Sequence, residues 1–271
     1  MYPFMYRRPG SVADAVALFG AGGDATYVSG GHTLLPALKA RLAAPSDLVD
    51  LSALPELRGI EETANGILIR AGMTHSEVAA SALVRARIPV LAGLAGSIAD
   101  RHVRHIGTIG GSVANNDPSA DYPAAVLALD ATVLTDRRRI QAGNYFTGLY
   151  TTCREQDEIV VGIEFPLPLS AGYAKFRNMA SRYALAAAFV ARTHLGVRVA
   201  VTGAYNTGVA RPGHFERALD ADFSPEALDR LEIDVAEMLL DHAATAAYRA
   251  NLVKVMIGRA VARQGEIQVF K

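Results

Sequence analysis

"RHIGTIGGSVANNDPSADYP", residues 104–123, interrupts a chain otherwise rich in alanine, valine and leucine. It gathers Gly110-Gly111, the hydroxyls of Thr108, Ser112 and Ser119, two asparagines, two aspartates and two prolines. Glycine opens backbone conformations closed to other residues and lets a ligand approach main-chain N–H groups without a Cβ in the way. The segment therefore reads as a glycine loop, and Gly111 as a position needing a φ that glycine alone accepts freely. Asp117-Pro118 is a turn signal, because Asp bonds its own backbone and Pro fixes φ. Asp121 opens the helical run that follows. As an N-cap it would hold an amide; as a ligand group it would accept hydrogen bonds from a ribose or an adenine amino group. The residues alone leave both open.

A second segment, "SGGHTLL" at 29–35, has the same composition. Each follows a candidate strand or buried helix, and successive N–H groups in such turns form anion-binding nests. The first also feeds a helix, whose N-terminal end carries partial positive charge, with Thr33 placed to donate a hydroxyl. Neither segment is a Gly-Lys-Ser/Thr phosphate loop or a G-x-G-x-x-G fingerprint. One such turn is ordinary. Two in one domain point to a ligand with two phosphates gripped from both sides, and a dinucleotide is the natural candidate.

The remaining composition narrows the class. The chain has 271 residues, and its 27 Lys plus Arg balance 27 Asp plus Glu, which argues against nucleic acid as the main partner. No run of about eighteen apolar residues suggests a membrane span. "MYPFMYRRPG" has no apolar stretch behind its arginines, so no secretory signal is read and a cytoplasmic protein is expected. The single Cys153 cannot form an intrachain disulfide or build an iron–sulfur or thiolate zinc site; it reads as a small half-buried hydrophobe. His102 and His105 lack further ligands at metal-site spacing and read as surface residues.

Hydrophobic patterning places these segments. Residues 25–51 read as strand, glycine turn, helix and strand, with Pro36 in the helix's first turn. "RGIEETANGILIRAG" at 58–72 reads as a hairpin turning at Asn65-Gly66, and Thr74 three before Glu77 as a capping box. "VLAGLAGSIAD" is a buried helix, "YPAAVLALDATVL" a helix running into a strand, and "DEIVVGIEFPLP" a strand ended by prolines. The texture then shifts. "GYAKFRNM", "YALAAAFVARTH" and "GVRVAVTGAYN" suggest a strand-rich sheet. "SPEALDRLE" and a final helix from about Ala243 to Arg263, with Tyr248, Leu252, Val255 and Met256 as core, complete a separate α+β unit. A boundary is expected near residue 170.

"YVSGGHTLLPALKARLAAPSDLVDLSALPELRGI" together with "RHIGTIGGSVANNDPSADYPAAVLALDA" closely resembles the FAD-binding medium subunit of molybdenum hydroxylases, the carbon monoxide dehydrogenase, xanthine dehydrogenase and aldehyde oxidoreductase group. The resemblance runs the full length, through "GYAKFRNMASRYALAAAF" and "YRANLVKVMIGRAV". It implies an α+β fold: a two-lobed FAD-binding domain of the vanillyl-alcohol-oxidase type over 1–170, with lobes of about 1–57 and 58–170, and a smaller α+β domain over 171–271. By position it implies FAD contacts at Ser29, Gly30, Gly31, His32, Thr33 and Leu34, and at Thr108, Ile109, Gly110, Gly111 and Ser112, the two diphosphate segments. Asp121 matches the carboxylate at the adenosine end, Ile98 and Val160 apolar contacts, Lys175 a lysine near the isoalloxazine, and Tyr183 an aromatic beside the flavin ring. Taken singly, Lys175 would be a solvated lysine. Many members carry an acidic residue where this chain has Ser181.

The resemblance also implies a division of labour. Substrate would be oxidised at molybdopterin in a large partner, and electrons would cross two [2Fe–2S] clusters in a small one. They would then reach FAD in this chain and leave to an external acceptor, in a dimer of three-chain units. No acid–base or nucleophile constellation accompanies the loops, in keeping with a cofactor-orienting chain. One competing reading is a stand-alone flavin oxidase of the same superfold, with His32 of Gly-Gly-His as a covalent attachment site. The other is a non-enzymatic module binding a different phosphate ligand.

Overall fold

The computed structural model describes residues 1–270, and their fold is α+β. Met5–Arg7, Asp47–Asp50 and Ala25–Val28 form a parallel three-stranded sheet with Asp47–Asp50 at its centre. The central strand is the buried one, with Leu48 and Val49 sealed from solvent. Its leading Asp47 pairs with Arg7 at 2.8 Å. Helix Val12–Ala21 packs on this sheet, capped by Ser11, which accepts from the Asp14 amide.

The second sheet is antiparallel, with Val160–Pro166 at its centre between Gly66–Arg70 and Thr132–Thr135. Ile163 and Phe165 are wholly buried, as the unbroken apolar run of this strand requires, and Pro166 ends it. The hairpin leading in turns one residue earlier than the sequence suggested. Thr63 pairs directly with Gly66, so Ala64-Asn65 form the turn. Gly66, at φ +152°, meets the Phe165 backbone so closely that a Cβ would lie 2.0 Å from its carbonyl oxygen. Close approach to the neighbouring strand, rather than turn geometry, explains that glycine. The capping box at Thr74 and Glu77 forms as expected.

A third sheet runs in the order Gly196–Thr202, Ala184–Thr193, Ser170–Arg177, Ile267–Phe270. Its alanine-rich strand shows why small residues stand there. Ala187, Phe189 and Ala191 join the main core, while Ala186, Ala188 and Val190 join a second core under the C-terminal helix. Alternation along a strand sends successive side chains to opposite faces. Both faces are covered, by helices Tyr122–Ala128 and Ala246–Ala262, and alanine lets both approach closely. That final helix begins at Ala246, not Ala243. Leu252 and Met256 are buried in it, Val255 is half-buried, and Tyr248 is exposed with its ring edge-on to Phe176. "SPEALDRLE" supplies only the short 3-10 turn Pro225–Leu228. Cys153 is half-buried against the main core. His102 and His105 lie exposed on helix Arg101–Ile106. Among the described residues no helix is long and apolar enough to cross a membrane.

Candidate functional site

The two glycine segments meet. Ser29 Oγ lies 3.2 Å from Thr108 Oγ1, and a Cβ on Gly30 would sit 2.5 Å from the Ile106 carbonyl oxygen and 2.7 Å from Gly107 Cα. Glycine at 30 is what allows the first sheet to close onto the second segment. Between them opens a cleft of about 600 Å3, within the range for cofactor sites.

The first segment is a turn whose amides stay free. Gly31 takes φ +67°, and the amides of Gly30, Gly31, His32 and Thr33 make no hydrogen bond within the described residues. Helix Leu34–Lys39 follows, and Thr33 makes no side-chain cap bond, leaving its hydroxyl uncommitted.

The second segment is not a loop, and it is not an amide nest. Thr108 caps helix Ile109–Asn115, so Gly110-Gly111 are its first turn, and Gly111 has no positive φ. Its amides are already engaged: Ile109 donates to the Met73 carbonyl at 3.0 Å, Gly110 to Ala71 at 2.9 Å, and Ser112 to Thr108 at 3.0 Å. Gly111 donates to the capping Thr108 Oγ1 at 3.1 Å. The paired glycines do separate jobs. A Cβ on Gly110 would lie 2.4 Å from Ala71 Cβ, inside the protein, whereas one on Gly111 would meet only Thr108 Oγ1, on the cleft side. Gly110 permits packing; Gly111 keeps the wall flat.

Ser29 to Leu34, Ile98, Thr108, Gly110, Gly111, Ser112, Asp121, Val160 and Tyr183 all line the cleft. Ser181 and Arg182 reach it beside Tyr183, which is half exposed at its mouth. Two expected positions do not line it. The Ile109 side chain points into the core. Lys175, far from being solvated, is 1% exposed and lies 2.9 Å from the Asp121 carboxylate. Tyr173 donates its hydroxyl to the same carboxylate, and burial and that negative charge push the phenol well above its ordinary pKa. Asp121 stands at the N-cap position of helix Tyr122–Ala128 but caps no amide. Its oxygens face the third sheet instead.

The tail of the second segment is stitched to that sheet as well. The Thr202 hydroxyl shares its one proton between the carbonyls of Pro118 and Ala120, at 2.9 and 2.7 Å, and the Gly203 amide donates to Pro118 at 2.7 Å. Asp117 forms the expected local turn, accepting from the Ser119 amide at 2.8 Å. Burial, together with nearby Asp121, raises its pKa.

Sequence reading missed His75. It lines the cleft at 5% exposure, and its Nδ1 has no hydrogen-bond partner. Burial, with His32 and Arg104 nearby, lowers its pKa to about 4. The only signal in the sequence was its place beside Thr74 of the capping box, which reads as helix start and nothing more.

Among the described residues the lining contains no lysine; it offers free amides, hydroxyls and flat glycine surfaces beside apolar walls. Such a donor set suits an extended ligand with an oxygen-rich centre and aromatic ends. Residues 2–168 match the model of the FAD binding domain in molybdopterin dehydrogenase. The chain belongs to this family.

Nearly its full length aligns with family members. It is 35% identical to the carbon monoxide dehydrogenase medium chain of Hydrogenophaga pseudoflava, over 95% of this chain and 96% of that one. It is 31% identical to the nicotine 6-hydroxylase medium subunit of Paenarthrobacter nicotinovorans, covering 96% of each. In three dimensions it superposes on a chain of the reconstituted CO dehydrogenase from Oligotropha carboxidovorans with TM-score 0.89 at 34% identity, over 97% of this chain and 98% of that chain. The cleft is in keeping with a FAD-binding domain: Gly30 lets the two segments close on each other, Gly111 keeps one wall bare, and the amides after Ser29 stand free.

Proposed function

We propose that this chain is the electron-transfer flavoprotein subunit of a molybdenum hydroxylase complex, binding FAD non-covalently across the cleft. The observation that carries it is the pairing of an uncommitted amide nest at Gly30 to Thr33 with the bare hydroxyl wall of Thr108, Gly111 and Ser112. The nest amides and the Thr33 hydroxyl would take the diphosphate. Gly110 and Ile109 would shape the wall without touching the cofactor through side chains. Ile98, Val160 and Leu34 supply apolar contact, and Tyr183 stands at the mouth beside Ser181. Asp121, its oxygens held by Tyr173 and Lys175, would act at the adenosine end by fixing that wall of the cleft.

Flavin can accept electrons singly and pass on a pair, which suits it to a junction between iron–sulfur clusters and a two-electron acceptor. This chain's residues bind and orient the cofactor and restrict water at its ring. The molybdopterin and both [2Fe–2S] clusters would reside in a large and a small partner, in a dimer of heterotrimers that discharges to an external acceptor. We further infer a division into an FAD-binding domain over 1–170, in lobes of about 1–57 and 58–170, and a C-terminal domain over 171–271. The three main sheets support it, the first two lying within the two lobes and the third beginning at the boundary residue Ser170.

Acid precipitation of the purified, FAD-loaded chain should leave all flavin in the supernatant; flavin in the pellet would restore His32 as a covalent attachment site. The isolated chain should show no flavin bleaching with aldehydes or purines under anaerobic conditions. Bleaching without partners would overturn the relay and favour a self-sufficient oxidase. A chain that takes up no FAD would overturn the cofactor assignment.

A further inference from the structure

His75 begins the helix His75–Ala80, one residue after the capping Thr74. The strand-like stretch before it props the second glycine segment from behind. The Ile109 and Gly110 amides donate to Met73 and Ala71, and the His75 amide donates to the Gly107 carbonyl at 2.9 Å. The imidazole is thereby clamped against Gly107, where a Cβ would lie 2.8 Å from Nε2. Gly107 in turn is the backbone against which Gly30 closes. His75 thus lies directly behind the junction of the two segments, with its ring on the cleft wall.

Among the described residues no group bonds to its side chain. Nδ1 is sealed and unpartnered, and the neighbouring Tyr122 ring, 5.4 Å away between centroids, has a hydroxyl that is unpartnered as well. A neutral imidazole carries one donor and one acceptor. Nδ1 stays sealed in the wall, so the ring's capacity toward a ligand lies at Nε2, which carries the proton in the tautomer that donates into the cleft. Burial first, and then the nearby His32 and Arg104, disfavour the imidazolium. The ring therefore remains a neutral hydrogen-bonding group at physiological pH and adds no fixed charge to the site.

We propose that His75 is a ligand-binding residue, donating a neutral hydrogen bond to the diphosphate of the dinucleotide held at the junction of the two glycine segments. The proposal rests on the FAD reading and adds to it a contact from a third segment, outside both glycine motifs. Donation to an anion also separates His75 from Gly30 and Gly111, which serve by lacking a side chain.

The full chain is titrated with FAD, ADP and riboflavin, followed by fluorescence or calorimetry. His75→Phe, which keeps ring shape and removes the bond, is expected to weaken FAD and ADP roughly ten- to hundred-fold and leave riboflavin unchanged. His75→Gln, which retains a donor, should recover most of the loss. Equal weakening of riboflavin, or no loss with ADP, overturns the proposal. Should His75→Phe fail to fold, wild-type chain labelled at histidine nitrogens decides. Saturating ADP must shift the His75 ring resonances and leave those of exposed His194 in place; unmoved His75 resonances overturn the contact. Wild-type protein that binds neither FAD nor ADP would instead overturn the FAD reading itself.

Discussion

Lys175 Nζ lies 2.9 Å from the Asp121 carboxylate, both side chains being almost wholly buried. The pair joins the first strand of the third sheet to the helix that follows the second glycine segment. It ties the cleft wall to the C-terminal part of the chain, and its consequences differ from those of a carboxylate that simply contacts a ligand. Removing one partner strands the other charge in the interior, costing roughly 3–5 kcal/mol. Asp121→Ala and Lys175→Ala should each lose about that much stability by urea denaturation. Replacing the pair with apolar residues, Asp121→Leu with Lys175→Met, should cost far less than the sum. Strict additivity would show that the pair is not coupled in solution.

The two adjacent glycines should fail in different ways. Gly110→Val drives a side chain into Ala71 and its backbone, an overpacking that costs about 1–3 kcal/mol or more. Its melting temperature should fall even without ligand. Gly111→Val, on the cleft side, should fold with little loss yet retain no FAD through gel filtration. Identical behaviour of the two variants would contradict the helical placement of this turn.

His75 makes the ligand-free chain acid-sensitive. Its folded pKa of about 4 lies below the ordinary 6.5. The unfolded chain therefore binds the proton first, and the stability contributed by the neutral ring is complete above pH 6.5. It erodes as pH falls from 6.5 towards 4, at about 1.4 kcal/mol per unit within that window. His75→Phe should flatten this part of the stability–pH profile, measured by urea unfolding at closely spaced pH values. An unchanged slope would remove His75 as its source.

Glu158 adds a second acid-sensitive contact at lower pH. It accepts from Arg138 at 2.9 and 2.8 Å, from Thr135 at 2.7 Å and from the Glu155 amide at 2.9 Å. The Arg138 bonds lead in lowering its pKa, to about 2. The stability it confers is present above the ordinary carboxylate range near 4.5 and is lost as pH falls towards 2. Glu158→Gln should therefore be destabilised at pH 7, with the gap to wild type closing below pH 3. A gap that is constant with pH would assign the loss to packing instead of charge.

By itself the sequence determined the α+β class, most of the order of strands and helices, and the positions of both glycine segments. Those signals are local: period-two and period-3.6 patterning, the Thr74–Glu77 capping box, proline at the end of the central strand. Resemblance added the family and a set of positions, nearly all of which gather around one cleft. What each position does there depended on contacts distant in the chain. Gly110 and Gly111 are identical letters, and only the presence of Ala71 behind one of them separates packing from access. Lys175 reads as solvated until the fold buries it 54 residues along the chain from Asp121. His75 was invisible because an unpartnered imidazole is defined by what does not reach it. Hydrogen-bond satisfaction and burial belong to the assembled tertiary structure, so no local pattern in the sequence could encode them.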